Sequence, residues 1–452
     1  MAGSSTPGDV STKQARIAQL AKQMPEKAMR SLAYHMDLAW LQEAYRRTRK
    51  DGAAGIDGQT AAEFEEDLDA NLRSLLDRAK SGTYRAPPVR RVYIPKGDGS
   101  KTRPIGIPTL EDKVLQRAVV MLLEPVYEQD FYDFSYGFRP RRSPHDAVET
   151  LGKAIHGMGG GWVLEVDVQS YYDTLDHKEL RSVLRQRVVD GVVVRLIGKW
   201  LRAGVMEGGS VRYSELGVPQ GGVISPLLSH IYLHEVLVKW WVQEVLPRMR
   251  GRAVLVRFAD DFVMVFSSKE DAFRVYKALP QRLDRFGLTL HPEKTRLVRF
   301  RRPPGGGGPK RGSFDFLGFT FYWGRSRRGR WILKQKTAKD RFSRAMRRMN
   351  EWLRGARHLP VKRQAEALGR KLRGHFNYYG IRHNSEALGQ FHYRVRRRWC
   401  YWLSRRTQKS HSGMTWEKFN RLLTRYPLPP PRLAKRWRRR DQRTCVPRSR
   451  MH

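Results

Sequence analysis

Two adjacent aspartates, Asp260 and Asp261, interrupt an apolar run that reads Val-Leu-Val-Arg-Phe-Ala-Asp-Asp-Phe-Val-Met-Val-Phe over residues 254–266. The β-prone flanks predict two strands of a tight hairpin with the aspartates at its turn. Neighbouring carboxylates repel, and burying them unpaired costs several kcal/mol or forces protonation. A cation removes that cost, which is the requirement of a two-metal phosphoryl-transfer site. An exposed Asp-Asp turn is the simpler alternative for such a pair taken alone, because aspartate favours turns; an exposed turn does not fit so long an apolar run.

A second acidic site lies upstream. Residues 162–168 read Trp-Val-Leu-Glu-Val-Asp-Val after Gly159, Gly160 and Gly161, which places Asp167 near the end of a strand. Mg²⁺ takes oxygen ligands in octahedral geometry and keeps several waters. One carboxylate on this strand and one or two on a neighbouring hairpin can hold two ions with a nucleotide phosphate between them. For Asp167 alone, capping of the following helix is an equal alternative.

The elements that would carry these residues can be read from pattern. Residues 1–12, rich in Gly, Ser, Thr and Pro, are expected to lack structure. Helical spacing covers 12–24 and 31–49, and a glycine block breaks it at 52–58. Another helix spans about 60–80, and residues 90–107 form a hairpin around Gly97-Asp98-Gly99. An amphipathic helix follows at 110–124. Ser225 and Pro226 read as N-cap and first-turn proline of a helix running to about residue 237. This puts Gln220, Gly221 and Gly222 just before a helix N-terminus, where phosphate is favoured. Residues 303–309 form a Pro/Gly loop, and 314–334 have a β pattern. Arginine-rich helices then cover about 337–357, 361–379 and 385–407, with a last helical pattern near 416–419 stopped by Pro427 and Pro429.

The chain has 452 residues, enough for two or three domains, and a formal charge of +43. From Arg299 onward there are 43 Lys and Arg against 7 Asp and Glu; the front portion has 44 against 37. A nearly balanced front and a strongly basic back, with tryptophan and tyrosine among the arginines, predict a catalytic globule attached to a nucleic-acid-binding surface. Binding should be steeply salt-dependent through counterion release. Cys400 and Cys445 have no CxxC partner, so neither a zinc site nor a disulfide framework is indicated, and a reducing, cytoplasmic setting is expected. No signal-peptide pattern and no apolar run of membrane-spanning length is seen, so no membrane partner is expected. The oligomeric state is not encoded in any motif.

Ordered blocks make the pattern specific. They are Gly52-Ala53-Ala54-Gly55-Ile56-Asp57-Gly58, Tyr93-Ile94-Pro95-Lys96, Arg103-Pro104-Ile105-Gly106-Ile107-Pro108 and Tyr136-Gly137-Phe138-Arg139-Pro140. The Asp167 strand, Gly217-Val218-Pro219-Gln220-Gly221-Gly222, the Asp-Asp hairpin, Phe316-Leu317-Gly318-Phe319 and Asn377-Tyr378-Tyr379 follow in turn. In this order the chain, over roughly residues 30 to 430, resembles the group II intron-encoded reverse transcriptase/maturase family.

The resemblance implies an α+β right-hand polymerase fold. It divides the chain into a helical N-terminal extension (1–85), fingers and palm with antiparallel sheet (86–334), a helical thumb or maturase domain (335–408) and a basic C-terminal segment (409–452). It implies an RNA-directed DNA polymerase that uses two Mg²⁺ ions held by Asp167, Asp260 and Asp261. Its partners would be dNTPs, an intron RNA template and a DNA primer or target, and it would assist splicing by binding that RNA. Lys96, Arg103, Tyr172, Gln220 and Gly221 would contact the incoming nucleotide, with Tyr172 under the sugar; Lys294 would protonate pyrophosphate; Arg373, Asn377, Tyr378 and Tyr379 would contact nucleic acid. Because Tyr378 and Tyr379 are sequence neighbours on a helix, one is expected to face the core and the other to be free to stack on a base.

Three positions depart from the family pattern: Phe258, where tyrosine is more usual, His230 and Glu235. The Cys-pair and His-Asn-His endonuclease block of many relatives is not seen, so second-strand cleavage is not expected. Two other functions fit the same motifs: a domesticated reverse transcriptase in defence or repair, and a polymerase-inactive RNA-binding maturase.

Overall fold

The computed structural model describes residues 7–96, 101–304, 312–406 and 414–434. Packing divides the chain into two units, one within residues 1–154 and 161–297, the other within 155–160 and 298–452.

The first unit opens with helices α1 (Pro7–Gln23), α2 (Leu38–Arg47), α3 (Ala61–Glu65) and α4 (Leu68–Ser81). Strands β1 (Val89–Lys96) and β2 (Lys101–Ile107) form the expected hairpin, paired antiparallel from Arg90↔Ile107 to Lys96↔Lys101. Helix α5 (Leu110–Asp130) follows, and α6 (Pro144–Met158) leads to β3 (Gly160–Val166). Next come α7 (Tyr171–Thr174), α8 (His177–Arg187), α9 (Gly191–Leu201), β4 (Val205–Glu207), β5 (Ser210–Arg212) and α10 (Ser225–Leu233). The chain continues through π-helical turns to the hairpin β6 (Ala253–Phe258) and β7 (Asp261–Phe266), then α11 (Lys269–Asp284); β8 (Arg296–Arg301) starts at the end of this unit and has most of its residues in the second. One sheet has the order β2-β1-β4-β5, with β1 and β4 parallel; the other runs β6-β7-β3-β8. The fold is therefore mixed α and β, with sheets that are mainly antiparallel.

Helix α5 is the spine of this unit. Val114, Leu115, Ala118, Val119, Leu122, Leu123 and Val126 are all fully buried. Truncating any of the leucines to alanine should cost about 2–5 kcal/mol. Thr109 starts the helix by accepting a hydrogen bond from the Asp112 amide.

The second unit holds a three-stranded antiparallel sheet, β9 (Phe314–Phe316), β10 (Phe319–Arg325) and β11 (Trp331–Thr337), and four helices. These are α12 (Lys339–Gly355), α13 (Val361–Tyr379), α14 (Ser385–Ser404) and α15 (Trp416–Arg425). Leu353, Leu368, Leu372, Val395, Trp399 and Phe419 are fully buried among the helices. The sheet at 314–337, read from sequence with the palm, clusters with this helical unit.

Several element boundaries differ from the sequence reading. A helix begins at Pro7, so the expectation of an unstructured stretch to residue 12 is wrong over 7–12. The 31–49 segment is two pieces: a 3₁₀ turn at Leu32–His35, then α2, which Asp37 starts afresh by accepting from the Trp40 amide. The 60–80 segment also breaks, because Asp67 leaves helical geometry between α3 and α4. Ser225 is inside α10 rather than capping it; Ile224 occupies the N-cap position and no side chain caps it. The loop at 303–309 lies mostly outside the described residues, as do Gly97-Asp98-Gly99, residues 407–413 and the basic run 435–440.

Candidate active site

The Asp-Asp hairpin forms, but its turn lies one residue earlier than the sequence predicts, and Asp261 already opens β7. Phe258 pairs with Asp261 across a two-residue turn of Ala259 and Asp260. Ala259 takes φ +57°, a value that side-chain-bearing residues rarely adopt. Strand β7 also pairs with β3, ending at Val166↔Phe262. Asp167 and Asp261 are therefore the next residues on adjacent strands, where directly opposed Cβ atoms stand about 4.5–5.5 Å apart. The sheet register thus brings Asp167 and the sequence-distant Asp260–Asp261 pair to one end of the β6-β7-β3-β8 sheet.

The carboxylates are not equivalent. Asp260 is half-buried and Asp261 exposed. Burial, reinforced by the Asp167 carboxylate, pushes the Asp260 carboxyl above its ordinary range; a backbone hydrogen bond, Arg103 and Arg257 pull it down. Asp167 is held by its backbone, whose carbonyl accepts from the His291 amide at 2.8 Å. Its carboxylate Oδ2 accepts from Lys294 Nζ at 3.1 Å. Among the described residues, no group of three or more His, Cys, Asp or Glu side chains is arranged to hold a metal by itself. A metal shared by these aspartates would therefore take further ligands from outside the protein. That is compatible with Mg²⁺, which commonly uses one or two carboxylates, waters and substrate phosphates rather than an all-protein cage. The donor set fits such an ion: all-oxygen ligands, mutual repulsion between Asp167 and Asp260, and an exposed ammonium as the countercharge on Asp167.

Around these acids stand the other predicted residues. Tyr171 is core, 3% exposed, and donates to the Ser229 carbonyl at 2.6 Å. Tyr172 is half-buried and its hydroxyl accepts from Ser229 Oγ at 3.2 Å. Burial pushes the Tyr172 phenol up to about 12, with Asp260 adding to the rise and Arg103 opposing it. Arg103 on β2 is exposed and acts electrostatically on both Asp260 and Tyr172. Lys96 closes β1, but its side chain lies outside the described residues.

The Gln220-Gly221-Gly222 block is explained by close approach. Gly106 donates its amide to the Gln220 carbonyl at 2.6 Å. Gly221 has φ +115°, and a Cβ there would strike the Gly106 carbonyl oxygen and lie 2.9 Å from Ile105 Cγ2. These contacts tie the block to β2, the strand that carries Arg103.

In the second unit, Arg373 and Asn377 are exposed and one helical turn apart on α13, next to exposed Arg370. The two tyrosines differ from expectation, since neither ring is free. Tyr378 donates to the Leu317 carbonyl at 3.0 Å and stacks on Phe319; Tyr379 meets Phe319 edge-on at 5.4 Å and tilts onto His375. Phe319 sits where both rings can reach it, a tertiary contact that helical spacing does not reveal.

Sequence reasoning missed the support beneath the turn, formed by Ser135, Gly137, His230 and Arg257. The available signal was Arg257 itself, a charge in the middle of an apolar strand.

The comparisons with known proteins agree with this geometry. Residues 94–321 match the family model "Reverse transcriptase (RNA-dependent DNA polymerase)". The chain belongs to the reverse transcriptase family and, within it, to the group II intron-encoded reverse transcriptase/maturase family. It is 38% identical over 288 residues to protein YkfC of Escherichia coli, covering 57% of this chain and 75% of that protein. It is 41% identical over 182 residues to the group II intron-encoded protein LtrA of Lactococcus lactis, covering 40% of this chain and 30% of LtrA. To the putative COX1/OXI3 intron 1 protein of Saccharomyces cerevisiae it is 27% identical over 317 residues, 59% of this chain and 37% of that protein. The match thus spans three quarters of YkfC but about a third of the intron proteins. Among the described residues, no helix is long and apolar enough to cross a membrane.

Proposed function

We propose that this chain is an RNA-directed DNA polymerase with a right-hand fold. It extends a DNA primer on group II intron RNA, and its basic second unit binds that RNA to assist splicing and copying. The observation that carries the reading is the approach of Asp167, at the end of β3, to the Asp260–Asp261 pair at the β6–β7 turn, inside the segment matched by the family model. Residues 86–334 would act as fingers and palm, 335–408 as thumb, with 1–85 and 409–452 as flanking extensions.

Asp167 and Asp260 would hold the metal, with Asp261 at its solvent edge. Two Mg²⁺ ions bound there would lower the pKa of the primer 3′-hydroxyl and neutralise the pyrophosphate leaving group. Lys294, which contacts the Asp167 carboxylate, would neutralise it before substrate arrives and would hand a proton to pyrophosphate afterwards. Arg103, with Lys96 beside it on the hairpin, would grip the triphosphate. Tyr172 would pack beneath the sugar, its hydroxyl fixed by Ser229. Gln220 and Gly221 would present backbone to the nucleotide. Arg373 and Asn377, both exposed on α13, would meet nucleic acid, while Tyr378 and Tyr379 would set the α13 surface through Phe319.

Incorporation of dTTP on poly(rA)/oligo(dT) with Mg²⁺ tests the reading. Incorporation supports the polymerase. Tight RNA binding with no incorporation would leave only an RNA-binding maturase.

A further inference from the structure

Arg257 lies on β6 three residues before Asp260 and is completely buried. Its guanidinium makes three hydrogen bonds, none to a carboxylate: Nε to Ser135 Oγ at 2.9 Å, Nη1 to the Ala259 carbonyl at 3.0 Å, and Nη2 to His230 Nε2 at 2.9 Å. Guanidinium only donates, so His230 Nε2 must accept and the imidazole is neutral. Burial together with Arg257 and Arg139 keeps it so. An unpaired buried charge is expensive. The Asp260 carboxylate acts on this guanidinium, and the two stabilise each other's charged forms. The backbone around Arg257 is pinned as well. Its amide donates to the Phe134 carbonyl at 3.0 Å, and its carbonyl accepts from the Tyr136 amide at 2.8 Å.

A buried cation therefore joins three pieces of the first unit at one point: the loop at 134–137, helix α10 through His230, and the turn whose Ala259 sits at φ +57°. Such strain persists only where surrounding contacts over-determine it. A neutral side chain of similar size would fill the same space without the cost of burying charge. The turn carbonyl, however, would lose its donor, and the Asp260 carboxylate the cation nearest to it in sequence.

We propose that Arg257 is a positioning residue for nucleotide transfer, a buried bolt that fixes the Ala259–Asp260 turn so that the Asp260 carboxylate is held at the same end of the sheet as Asp167. This rests on the reading of Asp260 as a metal ligand. His230 is part of the device as its neutral acceptor.

The test uses the full chain with Arg257→Gln, Arg257→Lys and, as a packing control in the same strand, Val256→Ala. Three quantities are read: single-turnover incorporation on poly(rA)/oligo(dT), the Kd for that duplex, and amide hydrogen exchange of the 258–262 peptide in the free protein. R257Q should lose about 100-fold in rate, the size associated with a displacement of about 1 Å at a reacting centre. Duplex Kd should change little, and exchange should accelerate in the turn but not in α5. R257K, which can still donate to the Ala259 carbonyl, should recover part of the rate. V256A should lower the melting temperature without selective loss of rate. If R257Q does not fold, Ser135→Ala removes only the Nε acceptor; about tenfold slower transfer with faster turn exchange would support the proposal. An active wild type with R257Q or S135A within threefold of its rate and unchanged turn exchange would overturn it. So would R257Q and V256A losing rate in equal proportion to stability. A wild type that incorporates nothing would instead overturn the polymerase reading, and this inference with it.

Discussion

Gly137→Ala should slow nucleotide transfer about 100-fold while leaving template–primer binding nearly intact. A Cβ at residue 137 would stand 2.8 Å from Ala259 Cα and 2.9 Å from the Phe258 carbonyl carbon, with the Ala259 amide nitrogen closer still. Carbon atoms pack at about 3.5–4.0 Å, so one backbone must withdraw by roughly 1 Å. The 134–137 loop cannot easily yield. Buried Arg139 donates to the Tyr132 and Ser135 carbonyls at 2.7 and 2.9 Å and pairs with Glu128 through both nitrogen–oxygen contacts. The Tyr136 amide and Phe134 carbonyl are bonded to Arg257. The turn bearing Asp260 therefore moves. A shift of that size costs about 10² in rate, or about 2.7 kcal/mol of transition-state stabilisation. The overpacking should also cost about 1–3 kcal/mol of stability. Single-turnover incorporation at saturating dTTP, beside a thermal melt and a duplex Kd, separates the two effects. G137A that folds and transfers within threefold of the wild-type rate would refute the reasoning.

Three further outcomes follow from particular contacts. Gly389→Ala lies mid-helix in α14 with open space where the Cβ goes, so it should stabilise the second unit by about 0.5–1 kcal/mol in a denaturant melt and leave transfer unchanged. Asp112 is buried, accepting from the Tyr84 hydroxyl and Trp200 Nε1 at 2.6 Å each, and burial pushes its carboxyl up to about 6 from 3.8. A carboxyl raised in the folded state favours folding most below its unfolded value and loses that contribution as pH rises through 6. Asp112→Asn should therefore gain up to about 3 kcal/mol relative to wild type between pH 4 and pH 8, and equal differences at the two pH values would count against it. Asn384 is 1% exposed; its Oδ1 accepts from the Thr337 amide, and its Nδ2 donates to Thr337 Oγ1 and the Tyr379 carbonyl. Asn384→Ala should destabilise by about 2–3 kcal/mol, read by thermal unfolding of the helical unit.

Much of the site could be read from sequence because its chemistry is local. The β6–β7 hairpin is a strand–turn–strand pattern with an acidic turn, and its continuous apolar, β-prone flanks locate the turn to within one residue. The neighbouring strand β3 could be recognised for the same reason. That β3 pairs with β7, bringing Asp167 beside Asp261, is a long-range contact that local pattern cannot supply; family resemblance supplied it. The helix breaks inside 31–49 and 60–80 share one cause. Asp37 and Asp67 lie inside stretches with helical apolar spacing, and periodicity outweighed the short polar residues that restart helices there. Arg257 was passed over because an arginine in an apolar strand reads as an exception; only packing shows it as the point where loop, helix and turn meet. The same limit applies to Tyr378 and Tyr379, whose common partner Phe319 is about 60 residues away in the chain.

The most direct test of the central claim is single-nucleotide incorporation on an RNA template with Mg²⁺ by wild type, Asp167→Asn and Asp260→Asn, with duplex Kd measured alongside. Each asparagine keeps the shape and removes the charge that a metal needs. The account predicts a loss of about 10³-fold or more in transfer for both variants, with duplex binding within a few fold of wild type. Undiminished incorporation by either variant would contradict it.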